Sequence, residues 1–304
     1  MRFFDLHCDT IGECYKNNYS LAENDLHIDL KRTRSFEEYV QAFAIWIKDE
    51  LRGEDAVDYF NNAADYFYEQ LKINKETVSL YGDENKTRVK ALLAVEGGSA
   101  CGGTLEGLHA MINKGVRLIT LTWNARNEIA SGAFSEGGIT EFGKEFIKTA
   151  EESGVVLDAS HLNRQSFFEL SEIATKPFIA SHSNADIVDN SYAHKRNLTK
   201  EQILCIKDRG GLIGLNFYNA FLETEELKGT DAIANQLDYF LSLDCENILS
   251  VGSDYDGCRI NTQLCGVEKI PSLYENLLLK GFDKKFLDKI FFENASRFFS
   301  EYCK

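Results

Sequence analysis

Residues 89–98, VKALLAVEGG, combine the two features that decide the fold of this chain. The apolar run is typical of a strand buried on both faces of a parallel sheet, and a glutamate and two glycines follow directly where that strand would end. The same arrangement recurs along the chain. The strand-like runs cover 2–6, 39–47, 89–95, 116–121, 155–159, 178–180, 211–217 and 248–251.

Amphipathic, helix-like stretches alternate with these runs, and they cover 55–73, 139–153, 164–174, 200–208 and 232–243. About eight strands, each followed by a helix, predict an α/β protein with a (β/α)8 TIM-type barrel, formed by residues 1–304 as one domain. An open doubly wound sheet is the competing fold. It would carry a glycine-rich phosphate loop after its first strand, but residues 7–12 read HCDTIG, so the barrel is favoured.

Charge and composition exclude several partners. The 33 basic and 48 acidic residues give a net charge of −15, which repels nucleic acid and anionic membrane surfaces. No run approaches the roughly 18 to 20 apolar residues that span a bilayer, and His7 interrupts any signal-peptide region. The eight cysteines include no C-x-x-C pair. We therefore expect a soluble, cytoplasmic protein with reduced thiols and no nucleic-acid or membrane partner.

Potential metal ligands follow five of the strand-like runs. They are His7 and Asp9, Glu96, His161, His182 and Asp254. In a barrel, all these strand ends lie at one pole, where the catalytic residues of this fold collect. Imidazole with carboxylate suits zinc, and a glutamate at such a position can bridge two metals. An acid beside the metals can pass a proton to a leaving amine, which is the role we assign to Asp254.

The remaining polar residues that we considered are assigned to loops, turns, the surface or substrate binding, and not to the metal site. His27 and Asp29 repeat the H-x-D spacing of the first strand end but lie in a polar stretch that we interpret as a solvated loop. Asp256 precedes a glycine and is interpreted as a turn residue. We expect His109 and His194 to be structural or exposed to solvent. Arg196 lies in a long connection that would overhang the pole, where it could bind a substrate carboxylate.

The set as a whole resembles the membrane (renal) dipeptidase family of dinuclear zinc peptidases. The matching segments are 5–9 (DLHCD), 95–98 (VEGG), 115–122 (GVRLITLT), 158–161 (DASH), 181–183 (SHS), 195–197 (KRN) and 252–257 (GSDYDG). The resemblance implies a (β/α)8 barrel, a dipeptide substrate that often has a D-residue at its C-terminal side, and a homodimer.

Applied to the matching positions, the resemblance implies two Zn²⁺ ions. His7 and Asp9 would hold one ion, His161 and His182 the other, and Glu96 would bridge them. Asp254 would shuttle the proton, and Arg196 would receive the C-terminal carboxylate of the substrate.

The sequence departs from the family in two ways. Trp123 stands where the mammalian enzymes carry a substrate-contacting histidine, and indole can only donate a hydrogen bond. Oxyanion assistance is then left to metal, Arg196 or Asn124, so we count Trp123 and Asn124 among the substrate-binding residues. We also expect this protein to lack the signal peptide and lipid-anchor tail of the family, so that the family name does not give a location.

The leading hypothesis is a dinuclear zinc dipeptidase in which a hydroxide between the metals attacks the scissile carbonyl. A second hypothesis is a metal-dependent hydrolase of another small amide, such as an N-acyl amino acid or a lactam. The H-x-H signature of amidohydrolases is replaced here by His7-Cys8-Asp9, which disfavours that branch. A third is a catalytically inactive relative that binds metal or peptide.

Overall fold

A sheet of parallel strands forms the centre of the molecule in the computed structural model, which describes residues 1–302. The strands are β1 (Arg2–Cys8), β2 (Glu38–Trp46), β3 (Val78–Leu80), β4 (Val89–Glu96), β5 (Leu118–Thr120), β6 (Val156–Asp158), β7 (Ile213–Leu215) and β8 (Leu249–Val251). The decisive strand β4 lies between β2 and β5, and its last residue, Glu96, pairs with Trp46 on one side and Thr120 on the other.

The sheet closes into a barrel. Its hydrogen-bonded order is β6-β5-β4-β2-β1-β8-β7, and β3 adds to β4 outside this path. Residues 178–180 complete the ring, because Ile179 pairs in parallel with Asp158 of β6, and Ala180 pairs with Ile213 of β7. The predicted (β/α)8 barrel is therefore confirmed. The predicted strand at 178–180 is reduced to these two bridges, and the outer strand β3 was not predicted.

Helices surround the barrel. The main ones are α1 (Thr10–Asn17), α2 (Gly53–Ile73), α3 (Leu105–Asn113), α4 (Glu141–Glu152), α5 (Arg164–Ile173), α6 (Ala193–Arg196), α7 (Lys200–Asp208), α8 (Asn219–Leu222), α9 (Thr230–Leu241), α10 (Ile270–Leu279), α11 (Lys284–Asp288) and α12 (Asn294–Tyr302). The five predicted amphipathic stretches correspond to α2, α4, α5, α7 and α9, with ends displaced by at most two residues. Within residues 1–302, no helix is both long and apolar enough to span a membrane.

Side chains fill the barrel interior according to the alternation of each strand. Phe4, Leu6, Leu92 and Ala94 belong to the inner cluster, whereas neighbours such as Phe3 and Leu93 belong to the outer cluster that packs against the helices. Along β4 this alternation places Glu96 on the inner face, at the upper mouth of the barrel, where the carboxyl ends of the strands lie. In β1 the register against β2 slips by one residue between Asp5 and Cys8. This bulge changes the parity of the strand, so that a histidine directly after the inward-facing Leu6 also points into the mouth.

The lower end of the barrel is closed by the C-terminal part of the described chain. The ring of Phe4 stacks on Phe299 of α12 at 5.3 Å and lies 6.5 Å from Phe292. All three side chains are almost fully buried. Because this end is packed with aromatic rings, the cavity described below opens at the upper mouth, formed by the carboxyl ends of the strands.

Candidate metal centre

The structure brings together all six residues that were predicted at strand ends. They are His7, Asp9, Glu96, His161, His182 and Asp254, and each is at most 9% exposed. His161 and Asp254 lie three residues beyond the last residues of β6 and β8, and both have positive φ angles, 69° and 62°. This left-handed backbone is uncommon for residues other than glycine, and it turns both side chains back over the barrel mouth.

Glu96 occupies the middle of the cluster. Its Oε1 atom lies 2.8 Å from Nε2 of His161 and 3.4 Å from Nε2 of His182, while Oε2 lies 4.0 Å from Nε2 of His7. Nε2 of His7 in turn lies 3.5 Å from Oδ2 of Asp9. One oxygen of Glu96 therefore faces His161 and His182, and the other faces His7, which lies beside Asp9. This is the arrangement of a bridging carboxylate.

Unpaired polar atoms show that the residues fit a divalent metal. Nε2 of His7 and Oδ1 of Asp9 are buried without a hydrogen-bond partner, an arrangement that is costly unless a ligand satisfies them. Nε2 of His161 lies 2.9 Å from Nε2 of His182, so two ring nitrogens converge on one point. Three sets of groups could each hold an ion: His7, Asp9 and Glu96; Glu96, His161 and His182; and His7, His182 and Asp254.

The electrostatic surroundings of two histidines differ. Burial lowers the pKa of His7, but the carboxylate of Asp9, 3.5 Å from its Nε2 atom, together with the charges of Glu96 and Asp254, outweighs it and raises the pKa to about 10. Burial, together with the charge of Arg196, lowers the pKa of His161 to about 3. His161 is therefore the neutral imidazole that a metal requires, whereas a metal at His7 must displace a proton.

A chain of hydrogen bonds orients His182. Nδ1 of His182 lies 2.7 Å from Oγ of Ser181, and that hydroxyl donates to Oδ2 of Asp158 at 2.5 Å. Because the hydroxyl proton is directed to the carboxylate, Ser181 accepts the proton of Nδ1, which leaves the lone pair of Nε2 facing Glu96. Asp158 also accepts from Thr120 at 2.6 Å. Sequence reasoning missed Asp158 and Ser181, although both lie in the quoted motifs.

Asn216 orients Asp254 in a similar way. It is fully buried one residue after β7, and its Nδ2 atom donates to Oδ2 of Asp254 at 2.9 Å. The other oxygen, Oδ1, lies 4.0 Å from Nε2 of His7. Asp254 therefore presents a single oxygen to the cluster. No sequence pattern singled out Asn216, because its role depends on the adjacency of β7 and β8.

A second aspartate and serine pair stabilises the β1 side. Oδ2 of Asp5 accepts from Oγ of Ser253 at 2.6 Å, and Oδ1 accepts from the backbone N–H of the same serine at 2.9 Å. The backbone N–H of His7 also points to Oδ1, at 3.3 Å. The pair thus links the bulged segment of β1 to the residue just before Asp254.

The cluster opens into a cavity of about 230 Å³. Its lining comprises Asp9, Glu13, Trp46, Glu96, Trp123, Asn124, His161, Tyr192, Arg196, Tyr218, Phe221, Asp254, Asp256, Gly257 and Cys258. Arg196 is 5% exposed, and the Nε and Nη2 atoms of its guanidinium are buried without a partner. Asn124 also touches the cluster, since its Oδ1 atom lies 3.1 Å from Nδ1 of His161.

Outside the cluster, one interpretation needs correction. The segment with His27 and Asp29 is not a solvated loop: Asp29 is 2% exposed and binds Nε of Arg32 at 2.9 Å. His27 is joined to Asp256, whose carboxylate accepts from its backbone N–H at 2.7 Å. Asp256 has a φ angle of 68°, in agreement with the predicted turn.

The two remaining histidines lie outside the cluster. His109 is exposed on α3, and His194, exposed on α6, contacts the carboxylate of Asp186 at 2.6 Å.

A barrel whose mouth joins three imidazoles to three carboxylates defines the class of metal-dependent hydrolases. The sequence also matches the model of the membrane dipeptidase family, peptidase family M19, over residues 1–303. The chain belongs to this family, and it is a metallopeptidase of the dipeptidase type. The resemblance identified from the sequence motifs is therefore confirmed.

Known proteins resemble the chain over most of its length. A protein of Klebsiella pneumoniae, described as an uncharacterized protein in the pqqA 5′ region, is 33% identical over 223 residues, which are 69% of this chain and 81% of that protein.

Two crystal structures superpose with a TM-score of 0.90. One is a metallo peptidase from Rhodobacter sphaeroides liganded with a phosphinate mimic of the dipeptide L-Ala-D-Ala, 22% identical, with 99% of each chain covered. The other is the dipeptidase AC, 24% identical, with 99% and 98% covered. These two likenesses support the fold.

Proposed function

We propose that the protein hydrolyses the peptide bond of dipeptides with two zinc ions held at the barrel mouth. The observation that carries the proposal is the position of Glu96, with one oxygen toward His161 and His182 and the other toward His7. A glutamate that only stabilised the end of a strand would not need to lie between two such sets of ligands. His7 and Asp9 would hold one ion, and His161 and His182 the other.

Zinc ions bound there would polarise the scissile carbonyl and lower the pKa of the attacking water. The chain's own residues then position the substrate and move the proton. Asp254 presents Oδ1 to the cluster while Asn216 binds its other oxygen, so Oδ1 is the atom that receives a proton and transfers it to the departing amine. The neutral imidazole of His161 and the orientation of His182 by Ser181 leave both rings able to bind a metal, and imidazole combined with carboxylate is a ligand set that suits zinc.

Arg196 is the receptor for the C-terminal carboxylate of the substrate. Its guanidinium is buried in the wall of the cavity with two nitrogen atoms unpaired, and an arginine fork binds a carboxylate with two parallel hydrogen bonds. Trp123 and Asn124 line the same cavity and complete the proposed substrate-binding set. Trp123 serves as an apolar surface there, since indole cannot supply the charge of the family's histidine.

The size of the cavity favours a small substrate. About 230 Å³ lies below the usual range of roughly 300 to 1,000 Å³ for drug-sized ligands, so the cavity suits a dipeptide better than a longer peptide. The Rhodobacter sphaeroides protein was crystallised with a mimic of L-Ala-D-Ala. We include dipeptides with a D-residue at the C-terminal side among the substrates.

We also propose a cytoplasmic location and a homodimer. The seven cysteines within residues 1–302 are all free, which suits a reducing compartment. Cys303, also predicted to be reduced, lies outside the described residues. The dimer is a prediction from the family resemblance, and light scattering of the purified protein tests it.

Metal-free protein titrated with Zn²⁺ tests the proposed function. Hydrolysis of L-Ala-L-Ala and L-Ala-D-Ala should rise to a plateau at two ions per chain, with N-acetyl-alanine left uncleaved. Glu96→Gln and His161→Ala should lower kcat/KM by at least about 1,000-fold, or about 4 kcal/mol of transition-state stabilisation. Glu106→Gln and His109→Ala, on the exposed face of α3, are matched controls and should retain activity. Full activity of Glu96→Gln, or preferential cleavage of the N-acyl compound, would overturn the proposal.

A further inference from the structure

Two groups of aromatic side chains lie on opposite sides of the cavity. In the ring of eight strand positions, β4 lies four places from β7. Trp46 ends β2 and Trp123 follows β5, so the two tryptophans flank β4. We call this pair the tryptophan wall. The opposite group of aromatic side chains lies in the chain segments that precede and follow β7.

The tryptophan wall is held in one arrangement. The two rings meet edge to face, with centroids 4.8 Å apart and planes at 69°. On the outer side, Nζ of Lys16 lies 4.8 Å from the ring centre of Trp46 and pairs with Glu13 at 2.6 Å. The ammonium of Lys16 is thus already paired. Nζ of Lys48 lies 5.8 Å from the same ring centre, and Nε1 of Trp46 is buried without a partner, so the wall offers a substrate apolar ring faces together with one N–H donor.

The opposite group consists of Tyr192, Tyr218 and Phe221, which we call the aromatic triad. Phe221 packs on Tyr218 at 4.7 Å and on Tyr192 at 5.2 Å. The guanidinium carbon of Arg196 lies 5.3 Å from the ring centre of Phe221. The carboxylate receptor is therefore part of the triad side, and the residue that carries the bound carboxylate must place its side chain there.

We infer that the preferred substrates are dipeptides with apolar or aromatic side chains on both residues. The C-terminal side chain contacts the aromatic triad, and the N-terminal side chain contacts the tryptophan wall. This inference rests on the proposed dipeptidase function and names the substrate class of the same site. Aromatic faces on both sides of the scissile bond give apolar side chains area to bury and give carboxylate side chains no partner.

Charge in the cavity adds discrimination against acidic dipeptides. Arg196 is occupied by the C-terminal carboxylate, while Asp9, Asp254 and Asp256 line the same cavity. Arg196 is the only lysine or arginine among the described residues that line this cavity, so a glutamate side chain finds no second cation in the lining, and burying an unpaired carboxylate is costly. Acidic dipeptides should therefore be poor substrates.

The test measures kcat/KM of the zinc-loaded protein for two pairs of substrates. All four dipeptides have the same configuration, L,L or L,D, as the alanyl-alanine that the protein cleaves. Alanyl-leucine against alanyl-glutamate reports on the C-terminal residue, and leucyl-alanine against glutamyl-alanine reports on the N-terminal one. The wild-type protein should favour the apolar member of each pair by at least about 10-fold. Tyr218→Ala should lower the first ratio at least about 5-fold and leave the second unchanged, and Trp123→Ala should do the reverse.

Two further variants separate a specific contact from general disturbance. Tyr218→Phe keeps the aromatic face and should keep the wild-type ratio, whereas Phe168→Ala removes an exposed ring of α5 outside the cavity and should change neither ratio. Ratios near one in the wild-type protein, or equal changes of both ratios in both wall variants, would overturn the inference while leaving the dipeptidase function intact. Failure of the zinc-loaded protein to cleave alanyl-alanine would overturn the proposed function itself and this inference with it.

Discussion

Removal of one hydroxyl, in Ser181→Ala, should weaken metal binding at the histidine pair. Oγ of Ser181 lies between Oδ2 of Asp158, at 2.5 Å, and Nδ1 of His182, at 2.7 Å. Without it, the His182 tautomer that frees Nε2 for a metal has a buried N–H with no acceptor. An unsatisfied buried donor costs about 1 to 3 kcal/mol. In the metal-free protein His182 can avoid this cost by carrying its proton on Nε2 instead of Nδ1, but that tautomer has no lone pair on Nε2 for a metal. We therefore expect affinity to fall about 10- to 100-fold, or about 1.4 to 2.7 kcal/mol.

The assay is zinc content after dialysis against a graded series of chelator concentrations, with kcat measured at saturating zinc. Ser181→Ala should lose its more weakly held ion at lower chelator activity than the wild type and recover most of its kcat when zinc is in excess. Ser253→Ala is the matched control, because its Oγ makes the same kind of bond to Asp5, at 2.6 Å, but contacts no imidazole. If both variants retain zinc as the wild type does, or lose it equally, the argument from the His182 tautomer is wrong.

Three further substitutions test other contacts. In Gly257→Ala the new Cβ would lie 2.1 Å from Oδ2 of Asp9, so kcat should fall at least about 10-fold while circular dichroism is unchanged. Arg196→Lys should raise KM for dipeptides about 10-fold or more through loss of the guanidinium fork, with little change in kcat. Asp288→Asn should lower the free energy of unfolding by about 0.5 kcal/mol at pH 7, as measured by urea titration. Burial raises the pKa of Asp288, but the hydrogen bond from Lys284 outweighs it, so the pKa in the folded protein lies below its usual value. The stabilisation is therefore lost as pH falls below about 3.9, and at lower pH the variant and the wild type should unfold with the same free energy.

Much of the architecture follows from local patterns. The apolar runs and amphipathic stretches predict the barrel and its main helices, because parallel strands buried on both faces leave a continuous apolar signal. The ligand positions follow from the same pattern, since a polar residue directly after such a run must lie at the mouth. For Glu96 even the direction of the side chain follows, because the alternation along β4 is regular from Leu92 to the end of the strand.

The remaining features depend on contacts between distant segments. The bulge of β1 is visible only in its pairing with β2, and simple alternation would turn His7 away from Leu6 and out of the mouth. Ser181 acts through Asp158 on a neighbouring strand, and Asn216 acts through a residue after β8. Three of the five aromatic rings of the cavity, those of Trp123, Tyr192 and Tyr218, come from loops, whose direction no periodicity specifies.

The way the barrel closes bears on how the chain acquires its structure. The first strand pairs with β8, and its Phe4 lies on the last helix, so the opening residues find their partners some 250 to 300 positions later. A nascent chain still missing that helix would leave the hydrophobic base of the molecule open to water. Completion of the barrel must therefore wait until α12 has left the ribosomal exit tunnel, and shortened products that lack α12 should be recognised by chaperones and proteases.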